Sequence, residues 1–186
     1  TKAEDAYKKA LRRYPVSPEP YYRLGSLYLR LMDLDKAAQY FCRFLELGQQ
    51  GELTKILEET GEADGQYGTL KKAVPETAPF RRAFAAYLFA KGRPWPALHE
   101  LEFAFTLEPT PQNALAHVRG LFRSKDFTAA LEQNTTYLER FPTSLGLREQ
   151  KARILERLGR RQEAVFIYRN LQQAVYAGEL FSQANQ

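Results

Sequence analysis

An alanine returns along this chain at a near-constant interval. Ala97, Ala130 and Ala164 are 33 and 34 residues apart, and Ala3 and Ala37 are also 34 apart. Each begins a similar pattern. Ala3, Tyr7, Ala10 and Pro15 are separated by four, three and five residues, and Ala97, Leu101, Ala104 and Pro109 keep all three steps. Steps of four and three put side chains on one helical face, and proline stops the helix because it lacks an N–H and clashes with the preceding turn. Ala37-Phe41-Phe44, Ala130-Asn134-Tyr137-Pro142 and Ala164-Tyr168-Leu171 hold the same register, with Asn134 where a large apolar residue is expected. A period in the thirties predicts stacked helical hairpins in place of one globular core.

A preceding helix carries its own signature. Gly25 lies between Leu24 and Tyr28, Ala85 follows Phe84, and Ala152 precedes Leu155. Glycine inside a helix costs about 1 kcal/mol relative to alanine, so Gly25 predicts close approach of a neighbouring helix. Turns follow at Met32-Asp33, Gly92-Arg93, Lys125-Asp126 and Gly159-Arg160; Gly92 and Gly159 suit left-handed helix caps, and Pro94 and Pro96 a helix start.

A large–small–large helix, a short turn and then alanine–aromatic–alanine–proline resembles the tetratricopeptide repeat, most clearly over Pro18 to Gln50. The resemblance implies an all-α fold, a right-handed α-solenoid of stacked antiparallel helix pairs. The expected order is a truncated opening unit (1–17), a repeat (18–50), a degenerate shortened repeat or linker (51–77), three repeats (78–110, 111–144 and 145–178) and a frayed tail (179–186). The irregular piece comes from arithmetic: Ala37 to Ala97 is 60 residues, eight short of two repeats. Glu52–Thr60 and Gln66–Val74 read as short helices with an apolar face of Leu53, Ile56, Leu57, Leu70, Ala73 and Val74. With Thr1 first and Met32 the only methionine, the chain reads as a piece of a longer array.

Composition narrows the function. The 186 residues are 44% hydrophobic and 26% charged, as in a folded chain. The longest strongly apolar stretch, Ala83–Ala90, falls well short of the ~20 residues that span a bilayer. The net charge of +5 is a mild basic excess, and arginines alternate with acids, so no nucleic-acid partner is expected. His99, His117 and Cys42 are too scattered for a zinc site. Their expected roles are structural: His99 a surface or partly buried helix residue, His117 hydrogen-bonded inside, and Cys42 a small core residue. No phosphate loop or paired catalytic carboxylate stands out, so no catalytic residue, metal or cofactor is expected and the chain reads as a non-enzyme. Trp95 is expected to staple the start of its helix.

In the family resembled here, first helices line a concave face that receives peptides or helices. That places Tyr22, Arg30, Arg82, Phe89, Arg119, Phe122, Arg123, Arg153 and Arg157 in the groove. Arginine forks suit carboxylates, and aromatics supply anchors. The implied function is a protein-interaction scaffold holding an acidic or carboxylate-bearing segment of another protein. The style of the repeats is also similar to periplasmic arrays of bacterial exopolysaccharide export proteins, which implies a periplasmic location and contact with an anionic polysaccharide as an alternative.

Overall fold

The structure, a computed structural model, describes residues 2–184, with side chains through residue 173. The helices run in order as α1 (Lys2–Arg13), α2 (Pro18–Arg30), α3 (Leu34–Glu46), α4 (Leu53–Ala63), α5 (Tyr67–Lys72), α6 (Ala78–Ala90), α7 (Pro94–Leu107), α8 (Pro111–Arg123), α9 (Phe127–Arg140), α10 (Leu145–Arg157) and α11 (Arg161–Ala184). A short 3-10 turn at Gln50–Glu52 precedes α4, and no strand occurs among the described residues. The fold is all-α and belongs to the α-solenoid class. The chain divides into two compact units, Thr1–Glu100 and Leu101–Gln186.

The hairpin turns explain the period in atomic terms. After α2, the N–H of Met32 donates to the Leu29 carbonyl (3.0 Å) and that of Asp33 to the Tyr28 carbonyl (3.0 Å). The same two bonds close the other three turns. Gly92 and Arg93 donate to Phe89 and Leu88, Lys125 and Asp126 to Phe122 and Leu121, and Gly159 and Arg160 to Glu156 and Leu155. This double closure satisfies the last helical carbonyls and requires one residue in the left-handed region. Gly92 (φ 71°) and Gly159 (φ 78°) supply it, as expected; Met32 (φ 58°) and Lys125 (φ 64°) supply it without being glycine. Two of the second helices, α3 and α9, then start on side-chain caps: Asp33 accepts from the Lys36 N–H (3.3 Å), and Asp126 from the Ala129 N–H (3.1 Å).

The recurring alanine marks the helix contacts. Ala37, Ala97, Ala130 and Ala164 are all buried. Ala3 departs from the expectation and is exposed, although α1 packs on α2. Gly25 behaves as its position predicts, since a Cβ there would stand 2.6 Å from the Phe41 ring. Trp95 corrects the sequence reading: it is 77% exposed and staples nothing. Its flanking prolines fix the backbone at the start of α7, and its side chain projects outward.

In the first unit, the shortened interval forms two helices. Leu53, Ile56, Leu57, Leu70, Ala73 and Val74 are all buried. Helix α4 packs against α3, α5 and α6, and α5 packs against α3. In the second unit, Leu131 reaches across to Ala152, Leu155 and Ala164, joining the α9 and α10–α11 layers. The backbone over 174–181 continues α11 through Ala184. The fraying expected for 179–186 falls on side chains outside the described residues, and Asn185 and Gln186 lie outside them entirely.

Candidate functional site

The nine residues assigned to the groove fall four in the first unit and five in the second. In the first unit, Tyr22 is half-buried. Its ring centroid lies 5.3 Å from that of Phe44 and 6.0 Å from that of Phe41. Its hydroxyl donates to Glu59 Oε1 (2.8 Å), and the Lys55 ammonium sits 4.6 Å from the ring centroid. Both partners come from α4. On its other side α4 meets α6, where the Tyr87 hydroxyl donates to the Leu57 carbonyl (3.2 Å) and Lys91 pairs with Glu58 (3.6 Å). The acidic helix α4 therefore stands between α2 and α6. It separates Tyr22 and the exposed Arg30 on α2 from the half-buried Arg82 and Phe89 on α6.

Two openings flank α4. One, of about 470 Å³, is lined by Glu19, Tyr22, Arg23, Phe44, Glu52 and Lys55 among others. The other, of about 520 Å³, is lined by Glu58, Gly61, Glu62, Tyr87, Lys91 and Arg93 among others. Both mix acids with bases. The charges are largely matched inside the unit, as in the Arg23–Glu19 pair (2.7 Å).

The second unit differs. Helices α8 and α10 pack directly against each other. The Arg157 guanidinium lies 5.8 Å from the Phe122 ring centroid, so these two groove residues meet as a cation–π pair. Phe122 also packs edge-on against Phe127, with centroids 5.2 Å apart. Arg119, Arg123, Arg153 and Arg157 are exposed. Arg153 is paired with Glu149 at 2.6 Å. Arg119 and Arg123 stand one helical turn apart on α8, as do Arg153 and Arg157 on α10, so two basic rows flank Phe122.

Beneath this face is a polar core. His117 is buried, and its Nδ1 lies 2.9 Å from the Tyr137 hydroxyl. Burial holds the imidazole below its ordinary range and pushes the Tyr137 phenol up to about 12. Asn134, in the place of an expected large apolar side chain, is fully buried and donates to the Leu147 carbonyl (3.1 Å), tying α9 to α10. The interior role expected for His117 agrees with the structure, and His99, expected on the surface or partly buried, is exposed. Cys42 is half-buried; its thiol is pushed up to about 11, by burial first and then by the neighbouring Glu46 carboxylate.

One cluster escaped the sequence reading. Arg81 and Glu100 are both buried and form an ion pair at 3.0 Å between α6 and α7. The Tyr67 hydroxyl from α5 also donates to Glu100. Arg81 in addition donates to the Val74 carbonyl at 3.1 Å. Burial, then the Glu100 carboxylate, raises the Tyr67 phenol above its ordinary value. A signal was present: Glu100 stands three residues after Ala97, and Arg81 three after Ala78, both on buried stripes. Sister repeats hold Tyr40, Gln133 and Ile167 three residues after their alanines, so the ion pair is particular to the unit that docks the shortened hairpin.

Among the described residues, no group of three or more His, Cys, Asp or Glu is placed to hold a metal ion. No helix of the described residues is long and apolar enough to cross a membrane.

Comparison with known proteins agrees with this architecture. Residues 1–52 match the tetratricopeptide repeat family model. Similar solved structures include YrrB, described as a tetratricopeptide repeat protein with an unusual peptide-binding site; it is 18% identical, with 95% of this chain and 99% of that one covered at a TM-score of 0.50. A structure of MamA is 16% identical over 95% of this chain and 88% of its own, at a TM-score of 0.51. A tetratricopeptide repeat protein from Parabacteroides merdae ATCC 43184 is 16% identical over 91% and 71%, also at 0.51. At these identities the likeness is one of fold, and the fold is that of tetratricopeptide repeat proteins. No curated protein matches the chain. Nothing in these comparisons supports an origin in exopolysaccharide export or in the periplasm.

Proposed function

We propose that this chain is a non-catalytic interaction scaffold, and that the α8–α10 face of the second unit receives an acidic segment of a partner protein. The observation that carries the reading is the pair of exposed arginine rows on either side of Phe122, one row already stacked on that ring through Arg157. Arginine matches carboxylates in a two-pronged geometry, and the aromatic ring offers an apolar anchor between the charges. Exposed ion pairs are individually worth only about 0–1 kcal/mol, so affinity rests on several acting together. The fold class and the peptide-binding site described for YrrB add general support.

The first unit contributes less to acid recognition in this reading. Its shortened hairpin, residues 51–77, continues the stack and sets its own acids between α2 and α6. Buried Leu53, Ile56 and Leu57 support a packed hairpin over a linker. Limited proteolysis that leaves residues 60–68 intact while cutting other loops is the expected outcome; early cleavage there contradicts the packed reading.

Calorimetry at low salt tests the binding face, using a synthetic peptide with glutamates on both sides of one aromatic residue. Binding that weakens at least tenfold in Arg119→Glu plus Arg123→Glu supports the proposal. Unchanged affinity in that variant overturns it. A polyanionic glycan titrated in parallel is expected to bind more weakly than the peptide.

A further inference from the structure

Met32 is the only methionine in the chain. It sits in the α2–α3 turn at the left-handed position that glycine fills in two sister turns, Gly92 and Gly159. It is 63% exposed, and its neighbour Leu31 is 54% exposed. A large apolar residue with positive φ is disfavoured by its backbone, and its exposure gains nothing from burial. Leu31 and Met32 form an apolar ledge over an opening of about 480 Å³, completed by Asp33, Leu34, Asp35 and Thr69. The charges around it are already matched, with Asp33 on Lys36 (2.6 Å) and Asp35 on Lys72 (2.6 Å). Leu31 and Met32 thus present hydrocarbon and one thioether to solvent, beside the exposed but ion-paired Asp35 and Lys72.

From this geometry we propose that Met32 is the oxidation site of the folded protein. Peroxide-type oxidants convert its thioether to the sulfoxide ahead of Cys42, with the fold left intact. In that step one peroxide oxygen bonds to the sulfur, the O–O bond breaks, and the other oxygen leaves as water; the sulfur is oxidised and the peroxide reduced. The other sulfur is protected. Cys42 is half-buried in α3, and its Sγ lies 3.8 Å from the Glu46 carboxylate. Thiols react with peroxide as thiolates, and burial and the Glu46 carboxylate push the Cys42 thiol up to about 11, so little of it is ionised at pH 7. The Met32 thioether needs no ionisation.

Oxidation changes the ledge and spares the core. The sulfoxide places a strong hydrogen-bond acceptor where an apolar sulfur stood, so the Leu31–Met32 surface turns polar. The turn keeps its two backbone bonds to Leu29 and Tyr28, which do not involve the side chain. A reductase dithiol reverses the change: two thiols close to a disulfide and the sulfoxide oxygen leaves as water.

A hydrogen peroxide titration at pH 7, followed by peptide mapping and circular dichroism, tests the proposal. The peptide holding Met32 is expected to gain one oxygen to completion while Cys42 remains titratable as a thiol after unfolding and the helical signal is unchanged. The rate is expected within about threefold of that of N-acetylmethionine amide, as for an exposed thioether. Met32→Leu is expected to take up no oxygen over the same period. Oxygen on Cys42 before Met32, a Met32 rate more than tenfold below the free amide, or loss of helix in step with Met32 oxidation overturns the proposal.

Discussion

The shortened hairpin of the first unit and the regular hairpins of the second solve the same packing problem with different chemistry. In the first unit, the short helices α4 and α5 pack against α3, and α4 against α6, and a buried ion pair with a tyrosine fastens them: Arg81, Glu100 and Tyr67. In the second, full-length α8, α9 and α10 are joined by neutral polar groups, His117 with Tyr137 and Asn134 with the Leu147 carbonyl. The surfaces differ to match. The first unit sets an acidic helix between its arginines, and Tyr22 is already engaged by Lys55 and Glu59. The second presents arginine rows with no such helix between α8 and α10. The short α4–α5 segment thus brings its own acids beside the arginines of the first unit, whereas α8 and α10 meet directly.

The largest effect is expected at the ion pair. Arg81→Met strands the buried Glu100 carboxylate without its main counter-charge, which costs about 3–5 kcal/mol. Denaturant unfolding should show that loss, and hydrogen exchange should place it in α5–α7. Adding Glu100→Leu should recover most of it, because removing both charges relieves the uncompensated burial. If Arg81→Met alone costs less than about 1 kcal/mol, the fastening role assigned to the pair is wrong.

Close helix approach ranks next. Gly25→Ala drives a Cβ to 2.6 Å from the Phe41 ring. Overpacking of this kind costs about 1–3 kcal/mol, readable as a lower melting temperature. A neutral result would mean that α2 and α3 separate more easily than their packing indicates.

The second unit should respond to acid through His117. Burial lowers its folded pKa below the unfolded value of about 6.5, so the unfolded chain binds the proton more readily. Its contribution to stability is fully present above about pH 6.5 and is lost as pH falls through the depressed folded value. The Glu102 carboxylate opposes the shift without reversing it. Urea midpoints measured from pH 7.5 downward should fall less steeply in His117→Gln than in the parent chain. Parallel curves for the two would remove the histidine from the account.

The smallest effect is a gain. Lys125 carries φ 64° in the turn between α8 and α9, where glycine is the unstrained choice. Lys125→Gly should stabilise the chain by about 0.5–1 kcal/mol, the relief of left-handed strain less the added freedom of the unfolded chain. Chemical denaturation resolves a change of this size, and a loss of stability would show the lysine side chain contributing more than its backbone costs.

Much of the architecture was legible because it depends on spacing. Burial of Ala37, Ala97, Ala130 and Ala164, the glycine caps at Gly92 and Gly159 and the close approach at Gly25 follow from residue size and backbone freedom, which a sequence displays directly. The interval from Ala37 to Ala97 likewise exposed the irregular hairpin. Other features depend on neighbours distant in the chain. Arg81 and Glu100 are 19 residues apart, and each alone resembles a solvated charge. Met32 and Lys125 adopt a backbone state that their side chains do not advertise. Trp95 between two prolines suggested a packed staple, but nothing covers its indole. The wedging of α4 between α2 and α6 depended on how the shortened hairpin turned, which no local residue pattern displays.

The difference between the two faces is most directly tested by isotope-edited NMR with the glutamate–aromatic peptide at low salt. Shift changes are expected to concentrate on α8 and α10 around Arg119, Phe122, Arg123, Arg153 and Arg157. Arg119→Glu plus Arg123→Glu should abolish them, and Arg30→Glu plus Arg82→Glu should leave them in place. Shift changes centred on Tyr22, Arg30, Arg82 and Phe89, surviving the Arg119 and Arg123 changes, would contradict the account.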